Sequence, residues 1–241
     1  SICWSISCFI DVYSYQFACK GVSTGIIWSV SYYVRMKSLQ QKTISGIIWS
    51  SVQRFGAMTI TFAANVILAR LLSPSDFGCV GMLMIFIGLS NTFIDGGFGA
   101  ALIQKKEPTQ EDYSTIFYWN ILLSIILYIL LYITAPLIAK FYHIPLLSIV
   151  LRVQGVVLIF NALSVVQNNL LRKQLRFKQL SVVEIVSAIL SLILAIAAAL
   201  NGWGVWSLVI QQIALSVFKT GLLWTLGNWY PNIVFSFASF R

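Results

Sequence analysis

The stretch Leu68–Gly78, which reads LARLLSPSDFG, lies where one long apolar segment of this chain ends and the next begins. Arg70 falls in the last turn of the first segment, where a cation complements the negative end of the helix dipole. A proline follows Ser73, and the residue before a proline is disfavoured in helical geometry, so the first helix should stop there. Ser75 or Asp76 can cap the next helix by accepting its free backbone N–H groups. The stretch therefore predicts a tight turn between two helices.

The composition of the chain is that of an integral membrane protein. Hydrophobic residues make up 59% of the 241 residues and charged residues 10%, whereas soluble domains average about 25% charged residues. A formal net charge of +9 would suggest a nucleic-acid partner in a soluble protein, but here we interpret the basic residues as topology signals in loops, with no nucleic acid bound. The four cysteines show neither metal-ligand spacing nor a paired framework, so we expect no metal and no cofactor.

Residues 1–35 differ from the rest of the chain. They mix Cys, Tyr, Ser and Trp without clean periodicity, and they lack the basic start and cleavage site of a signal peptide. Met36 then opens the sequence MKSLQQKT, which is polar and basic, as at a natural amino terminus. We predict that residues 1–35 are an atypical, non-native leader, the alternative being an extra helix near residues 22–34.

From Thr43 onward the chain consists of successive apolar segments, each near the length of about 20 residues that a membrane-spanning helix needs. The predicted helices cover residues 43–71, 76–103, 113–140, 146–171, 179–200 and 204–226. The sequence from Asn201 to Gly204 is too rich in glycine to continue a helix and predicts the turn between the last two. The predicted fold class is an all-α membrane protein, in which residues 36–241 form a six-helix transmembrane bundle.

Loop charges predict the orientation of this bundle, because cytoplasmic loops carry an excess of lysine and arginine. Eight basic residues fall on one side: Lys37, Lys42, Lys105, Lys106, Arg172, Lys173, Arg176 and Lys178. Three fall on the other: Arg70, Lys140 and Arg152. The side with eight should be cytoplasmic, and both the start of the first helix and the end of the sixth should lie there.

Three of the predicted helices carry lines of polar and small residues, judged at the helical period of 3.6 residues per turn. The first helix has Gly46, Ser50, Arg54, Thr61 and Asn65 on one face; the second has Gly88, Asn91, Asp95 and Gly99; the fourth has Gln154, Asn161 and Asn168. Polar residues inside the hydrocarbon usually face a protein interior or a wet cavity. The lines predict a hydrophilic cavity lined by these three helices. The alternative is interhelical hydrogen bonding with small-residue packing.

Arg54 is the most informative of these residues, because it lies about 16 Å along the first predicted helix at 1.5 Å per residue. At that depth a guanidinium can bind a phosphate through two parallel hydrogen bonds. The alternative is an ion pair with Asp95. Asp95 could also bind a coupling cation, or it could cap the helix where two glycines follow.

Other ionisable residues suggest structural roles. His143, the single histidine, lies in a short loop and is predicted to be a surface residue. Glu184 favours the start of its helix electrostatically or pairs with Lys178, the alternative being a role in proton coupling. The loop from Arg172 to Lys178 sets the topology or contacts anionic lipid head groups.

Several blocks of the sequence, in order, carry a family resemblance over residues 36–241. They read ILARLLSPSDFG, DGGFGAALIQKKEPTQEDYST, APLIAKFY, LLRKQLRFKQL and GWGVWSLVIQQ. Together they resemble the polysaccharide exporter and Wzx-like flippase branch of the MOP (multidrug, oligosaccharidyl-lipid, polysaccharide) superfamily. The resemblance implies a transporter with two lobes that face each other across a central cavity. By this resemblance, we expect the chain to correspond to the amino-terminal lobe only, without the carboxy-terminal one.

The resemblance also implies the substrate and the location. It indicates a flippase that moves an undecaprenyl-diphosphate-linked oligosaccharide across the bacterial inner membrane, with membrane lipids and a coupling cation, Na⁺ or H⁺, as further partners. A drug exporter of the same superfamily is one alternative, although it would favour an acidic cavity. A membrane-embedded glycan polymerase or acyltransferase is the other. It would need an acid–base set at a cavity, and the sequence shows no candidate catalytic residue.

The predicted topology can be tested with single cysteines at residues 108 and 202, in a chain whose native cysteines are replaced by serine. Because these positions lie in loops on opposite sides, a membrane-impermeant maleimide should reach only residue 202 from outside intact cells. Labelling of both positions from outside would contradict the charge-based orientation.

Overall fold

The computed structural model describes residues 24–95, 109–227 and 229–232 of the chain. Most of the predicted leader lies outside the described residues, as do Gly99, Lys105 and Lys106, and so does the side chain of Asp95. The chain divides into two units, residues 1–47 and 48–241. In the first unit, the described residues 24–47 are helical. Packing and side-chain contacts are described below for the second unit.

Every long element in the described part of the chain is an α-helix. The helices are α1 (Thr24–Leu71), α2 (Pro74–Asp95), α3 (Gln110–Phe141), α4 (Leu146–Gln154), α5 (Val156–Lys173), α6 (Phe177–Leu200) and α7 (Val205–Leu226). They supply six segments long and apolar enough to cross a membrane: Ile48–Leu71, Pro74–Ile94, Gln110–Phe141, Leu146–Lys173, Phe177–Leu200 and Val205–Leu226. The prediction of an all-α, six-helix membrane bundle is confirmed.

Helix α1 begins at Thr24 and not near residue 43, so the prediction of its start was wrong. Residues 36–42 are Met, Lys, Ser, Leu, Gln, Gln and Lys, most of which are good helix formers. The first proline of the chain is Pro74, so no proline interrupts the helix before its end. The segment that can span a membrane still begins later, at Ile48.

The turn between α1 and α2 lies where the sequence predicts it, but the cap differs. Pro74 is the first residue of α2, a position where its missing N–H costs nothing. Asp76 does not act as the capping residue itself; from the first turn its Oδ2 accepts hydrogen bonds from the Ser73 N–H at 3.2 Å and from the Ser73 hydroxyl at 2.8 Å. The carboxylate closes the turn from inside the helix, as the third position of a capping box does.

The fourth predicted helix is divided in two at Gly155, which separates α4 from α5. A Cβ atom on Gly155 would lie 3.0 Å from Cδ2 of Tyr128, so the ring of α3 packs directly on the glycine backbone. The Leu158 N–H bonds to the carbonyl of Gly155, three residues back, and tightens the chain at this point. The two pieces together still form one candidate span.

The core of the bundle combines aliphatic side chains with small polar ones. Leu83, Leu151, Leu158 and Val209 are almost fully buried in one cluster that draws on α2, α4, α5 and α7. Ser181, Ser187, Ser191, Ser207 and Ser216 are also buried, all in the α6–α7 pair. Small residues of this kind let membrane helices approach closely. Helix α6 also meets α1, because the Ser181 hydroxyl donates to the Trp49 carbonyl at 2.8 Å.

A short extended segment after α7, which we call the strap (Gly227 and Trp229–Asn232), is fixed to α3 and α5. Gln167 donates to the Trp229 carbonyl at 2.7 Å, and the Trp229 indole N–H donates to Gln110 at 2.7 Å. Gln110 in turn donates to the Tyr230 carbonyl at 2.8 Å. Trp229 is buried against Tyr113 and Phe117. These hydrogen bonds and contacts therefore fix the direction in which the chain continues after α7.

Gly227→Ala should destabilise the protein, because a Cβ atom there would overlap Oε1 of Gln167 and lie 2.9 Å from the Leu223 carbonyl oxygen. The expected loss is about 1–3 kcal/mol, as for other overpacked sites, and it is measured as a lower midpoint of thermal unfolding in detergent. Gly221→Ala, six residues earlier within α7, is the matched control, since nothing lies within 4 Å of its Cβ position. Equal midpoints for the two variants would contradict the packing of the strap.

Candidate substrate cavity

The polar residues of the first predicted helix line neither of the two cavities described below. Arg54, Thr61 and Asn65 are exposed on α1, and Ser50 is half-buried. Arg54 is the seventh residue of the span that begins at Ile48, about 10 Å along it at 1.5 Å per residue, shallower than the depth expected from a helix start at residue 43. The expectation that α1 lines a cavity together with the second and fourth predicted helices stays a prediction.

A polar cavity of about 270 Å³ lies among α2, α5 and α7. Its described lining is mostly polar, with amide side chains, one hydroxyl, one ammonium group and one apolar side chain. The residues are Asn91, Asn161, Ser164, Val165, Asn168, Asn169 and Lys219. The structure thus brings together Asn91, Asn161 and Asn168 from two of the predicted polar lines. Asn161 donates to Asn91 at 3.0 Å and ties α5 to α2 at the cavity. Asn168 accepts from Arg172, one turn along, at 3.3 Å.

Gln154, the remaining residue of the third polar line, lies outside the cavity. It is fully buried and donates to Gln212 of α7 at 2.9 Å. This is the interhelical hydrogen bond that the sequence left open as an alternative, and amide bonds of this kind in membrane bundles average about 0.6 kcal/mol. Of the polar line along α4 and α5, Asn161 and Asn168 therefore line the cavity, whereas Gln154 forms a buried contact between helices.

Lys219 carries the one formal charge among the described lining residues, and its partner is Glu184 of α6. The Lys219 ammonium lies 2.8 Å from one carboxylate oxygen of Glu184 and 3.1 Å from the other. The side chains are 27% and 24% exposed, so both charges are largely withdrawn from solvent. An unpaired charge at the centre of a spanning helix costs about 2.5–3.5 kcal/mol, which the pairing offsets in part.

The predicted pairing of Glu184 with Lys178 was wrong. Six residues separate the two along α6, and helix neighbours face each other at spacings of three or four. The Lys178 ammonium lies instead 5.6 Å from the centre of the Trp49 ring. Glu184 is free to face α7, the helix that packs most extensively against α6.

Sequence reasoning missed Lys219, although a signal for it exists. Glu184 and Lys219 lie equally far, in residues, from the turn at Asn201–Gly202. In an antiparallel helix pair joined by a tight turn, two such positions share the same depth. Two opposite charges at matched depths of neighbouring spans therefore predict an ion pair.

The remaining features are the single histidine, possible metal ligands and a second cavity. His143 is exposed in the loop after α3, as predicted. The described residues hold no group of three His, Cys, Asp or Glu side chains that could bind a metal. A second cavity of about 620 Å³ lies open between α2 and α3. Its described lining is almost wholly apolar and includes no charged side chain.

The side chains of the polar cavity are suited to recognition of a polar ligand. Its asparagine side chains both donate and accept hydrogen bonds, as sugar hydroxyls require, and its ammonium group matches an oxyanion. The charged group among the described lining residues is Lys219, which can bind an anion.

Asn169→Cys should react with a water-soluble methanethiosulfonate reagent, in a chain whose native cysteines are replaced by serine, because the reactive thiolate forms in water. Asn169 lines the cavity, whereas Ser187, the matched control on α6, is fully buried. The cysteine of Ser187→Cys should stay unmodified. Failure of Asn169→Cys to react in the folded protein would mean that the cavity is dry.

Comparison with known proteins gives a consistent result. The family model "Polysaccharide biosynthesis protein" matches residues 67–241. The teichuronic acid biosynthesis protein TuaB of Bacillus subtilis is 31% identical over 209 residues, 86% of this chain and 43% of TuaB. The succinoglycan biosynthesis transport protein ExoT of Rhizobium meliloti is 24% identical over 200 residues, 83% of this chain and 40% of ExoT. The lipopolysaccharide biosynthesis protein WzxC of Escherichia coli is 23% identical over 212 residues, 82% of this chain and 43% of WzxC. No solved structure matches the chain with significance.

The chain thus spans less than half the length of each of these curated relatives. The matched region begins in the last turns of α1 and includes all the helices that line the polar cavity. It covers more than half of the chain, so this multi-pass membrane protein belongs to the polysaccharide biosynthesis protein family.

Proposed function

We propose that this chain is the amino-terminal half of a transporter that moves a lipid-linked oligosaccharide across the bacterial inner membrane. The cargo in this proposal is a glycan joined to undecaprenyl diphosphate, carried from the cytoplasmic to the outer leaflet for surface polysaccharide synthesis. The observation that carries the proposal is a cavity of amides and one ammonium group inside a bundle whose outer surface is apolar. The names of TuaB, ExoT and WzxC, which refer to polysaccharide biosynthesis or transport, support the same class.

The chemistry of the cavity matches the two parts of such a cargo. A diphosphate in a medium of low dielectric constant needs a cation nearby, because its charges would otherwise lose their hydration without compensation. Sugar hydroxyls need partners that can both donate and accept, and the asparagine side chains of α2 and α5 do both. A drug exporter for cations would be served poorly by a cavity whose described lining has a lysine and no carboxylate.

In this proposal the exposed face of α1 belongs to the central cavity of the complete, two-lobe transporter. Phe55, Met58 and Phe62 on α1 are 71%, 71% and 69% exposed, far more than a helix inside a bundle. Arg54 lies among them, and its guanidinium would contact the diphosphate from the first helix, with Ser50, Thr61 and Asn65 on the same face. Asp95 would bind the coupling cation, Na⁺ or H⁺, in the same transporter.

Arg54→Ala in the complete, two-lobe protein should abolish glycan export without lowering its abundance in the membrane. The exposed arginine leaves no buried partner behind when it is removed. Arg54→Lys should keep part of the activity, because it retains the charge and loses the planar fork. Arg70→Ala, at the exposed end of the same helix, is the control and should export normally.

An alternative role for Arg54 predicts a different pattern. If Arg54 pairs with Asp95 in a dry interior, Arg54→Ala strands a buried carboxylate and abundance falls, whereas the double variant with Asp95→Ala recovers. Normal export by Arg54→Ala, or export by the double variant where the single variant fails, would end the proposed role of Arg54.

A further inference from the structure

The ion pair between Glu184 and Lys219 is asymmetric with respect to the polar cavity. Lys219 lines the cavity, whereas Glu184 is not part of the described lining and lies behind the lysine on α6. A link between α6 and α7 alone does not require that the cation, rather than the carboxylate, line the polar cavity. The asymmetry gives the cavity a local positive site.

The geometry of the pair leaves Lys219 able to bind a second anion. An ammonium group has three N–H donors. The two oxygens of Glu184 lie 3.1 Å and 2.8 Å from it, which leaves donor capacity toward the cavity. Glu184 is itself 24% exposed, so its carboxylate is not enclosed by protein on all sides when it loses the lysine.

The backbone around Lys219 is held in place while the side chain is long and flexible. Thr220, the next residue, donates to the Phe160 carbonyl at 2.9 Å, and Trp224 donates to the Leu163 carbonyl at 3.1 Å. Both bonds fix α7 to α5 beside the cavity. An exchange of partners at Lys219 therefore needs only rotation about side-chain bonds and no shift of a helix.

From this arrangement we propose that Lys219 is an oxyanion-binding residue whose site Glu184 occupies in the empty protein. An oxyanion of the cargo displaces Glu184 from Lys219 on binding, and Glu184 returns when the oxyanion leaves. The inference deepens the proposed function and rests on it, since it names Lys219 as a cargo contact of this lobe. The oxyanion is either the diphosphate of the lipid carrier or the carboxylate of an acidic sugar.

The test measures equilibrium binding to the 241-residue chain in nanodiscs of phosphatidylcholine, which carries no net charge, with empty nanodiscs as blank. Farnesyl diphosphate is the probe for the carrier, and digalacturonate is the probe for an acidic sugar. Glu184→Gln should bind the matching probe about tenfold more tightly, because the competing carboxylate is gone. Lys219→Gln should bind it about tenfold more weakly, and the double variant should behave like Lys219→Gln.

Two further variants separate binding from folding. Lys140→Gln removes one positive charge from an exposed position on α3 and should leave binding unchanged. The exchanged variant, Glu184→Lys with Lys219→Glu, keeps an ion pair between α6 and α7 and should unfold at the temperature of the wild type. It should nevertheless lose binding, because the cation no longer lines the cavity.

Each outcome bears on the inference. The probe that shows the expected pattern identifies the oxyanion. Wild-type binding that no variant at either position alters would overturn the role of Lys219 and leave the proposed function standing. Retained binding in the exchanged variant would also overturn it, since the pair would then act only as a link between helices. If neither wild type nor Glu184→Gln binds either probe, the inference is wrong and the lipid-diphosphate cargo loses support as well.

Discussion

The scarcity of hydrogen-bond partners inside a bilayer is the constraint on which this structure depends. A peptide group that is unpaired in hydrocarbon costs on the order of several kcal/mol, and an α-helix avoids this cost by pairing its backbone groups within one segment. The same constraint acts on side chains. Serines within the spans donate back to carbonyls of their own helix, as Ser187 does to Val183 at 2.6 Å and Ser90 does to Phe86 at 2.9 Å. Side chains too long for that solution, such as Gln154 and Asn161, must find a partner on another helix or water in a cavity.

These two outcomes divide the amide side chains of the bundle. Gln154 meets Gln212 in a buried, dry contact, whereas Asn161 meets Asn91 at the edge of an open space. Both residues belong to one line along α4 and α5, and the break at Gly155 lies between them. The packing of Tyr128 on Gly155 holds α4 and α5 against α3 at this point. A polar line in a sequence therefore shows that a helix face avoids lipid, and the neighbouring helices decide whether that face is wet.

The sequence was sufficient for features set by local chemistry. The turn at Ser73–Pro74, the glycine-rich turn after Leu200 and the number of spans all follow from composition, period and helix stops. The sequence was insufficient where the position of a side chain depends on a contact with another helix. The pairing of Glu184 with Lys219 follows from their matched depths only once α6 and α7 are known to pack side by side, and nothing local puts Tyr128 against Gly155. The exposure of α1 likewise depends on which helices pack beside it, so the sequence alone could not decide what the line from Ser50 to Asn65 faces.

The pairing of Glu184 with Lys219 also explains how a cation can be kept inside an apolar bundle. A lone ammonium at this depth would be costly in the empty protein, and a carboxylate 2.8 Å away reduces that cost by making the pair neutral overall. A fully dry pair would be too stable to exchange its partners, since separating the charges would strand both. At about a quarter exposed, each side chain lies between these limits: it is paired enough to persist in the bundle and hydrated enough to give up its partner. The partial exposure of the two side chains is thus as important to anion recognition as their charges.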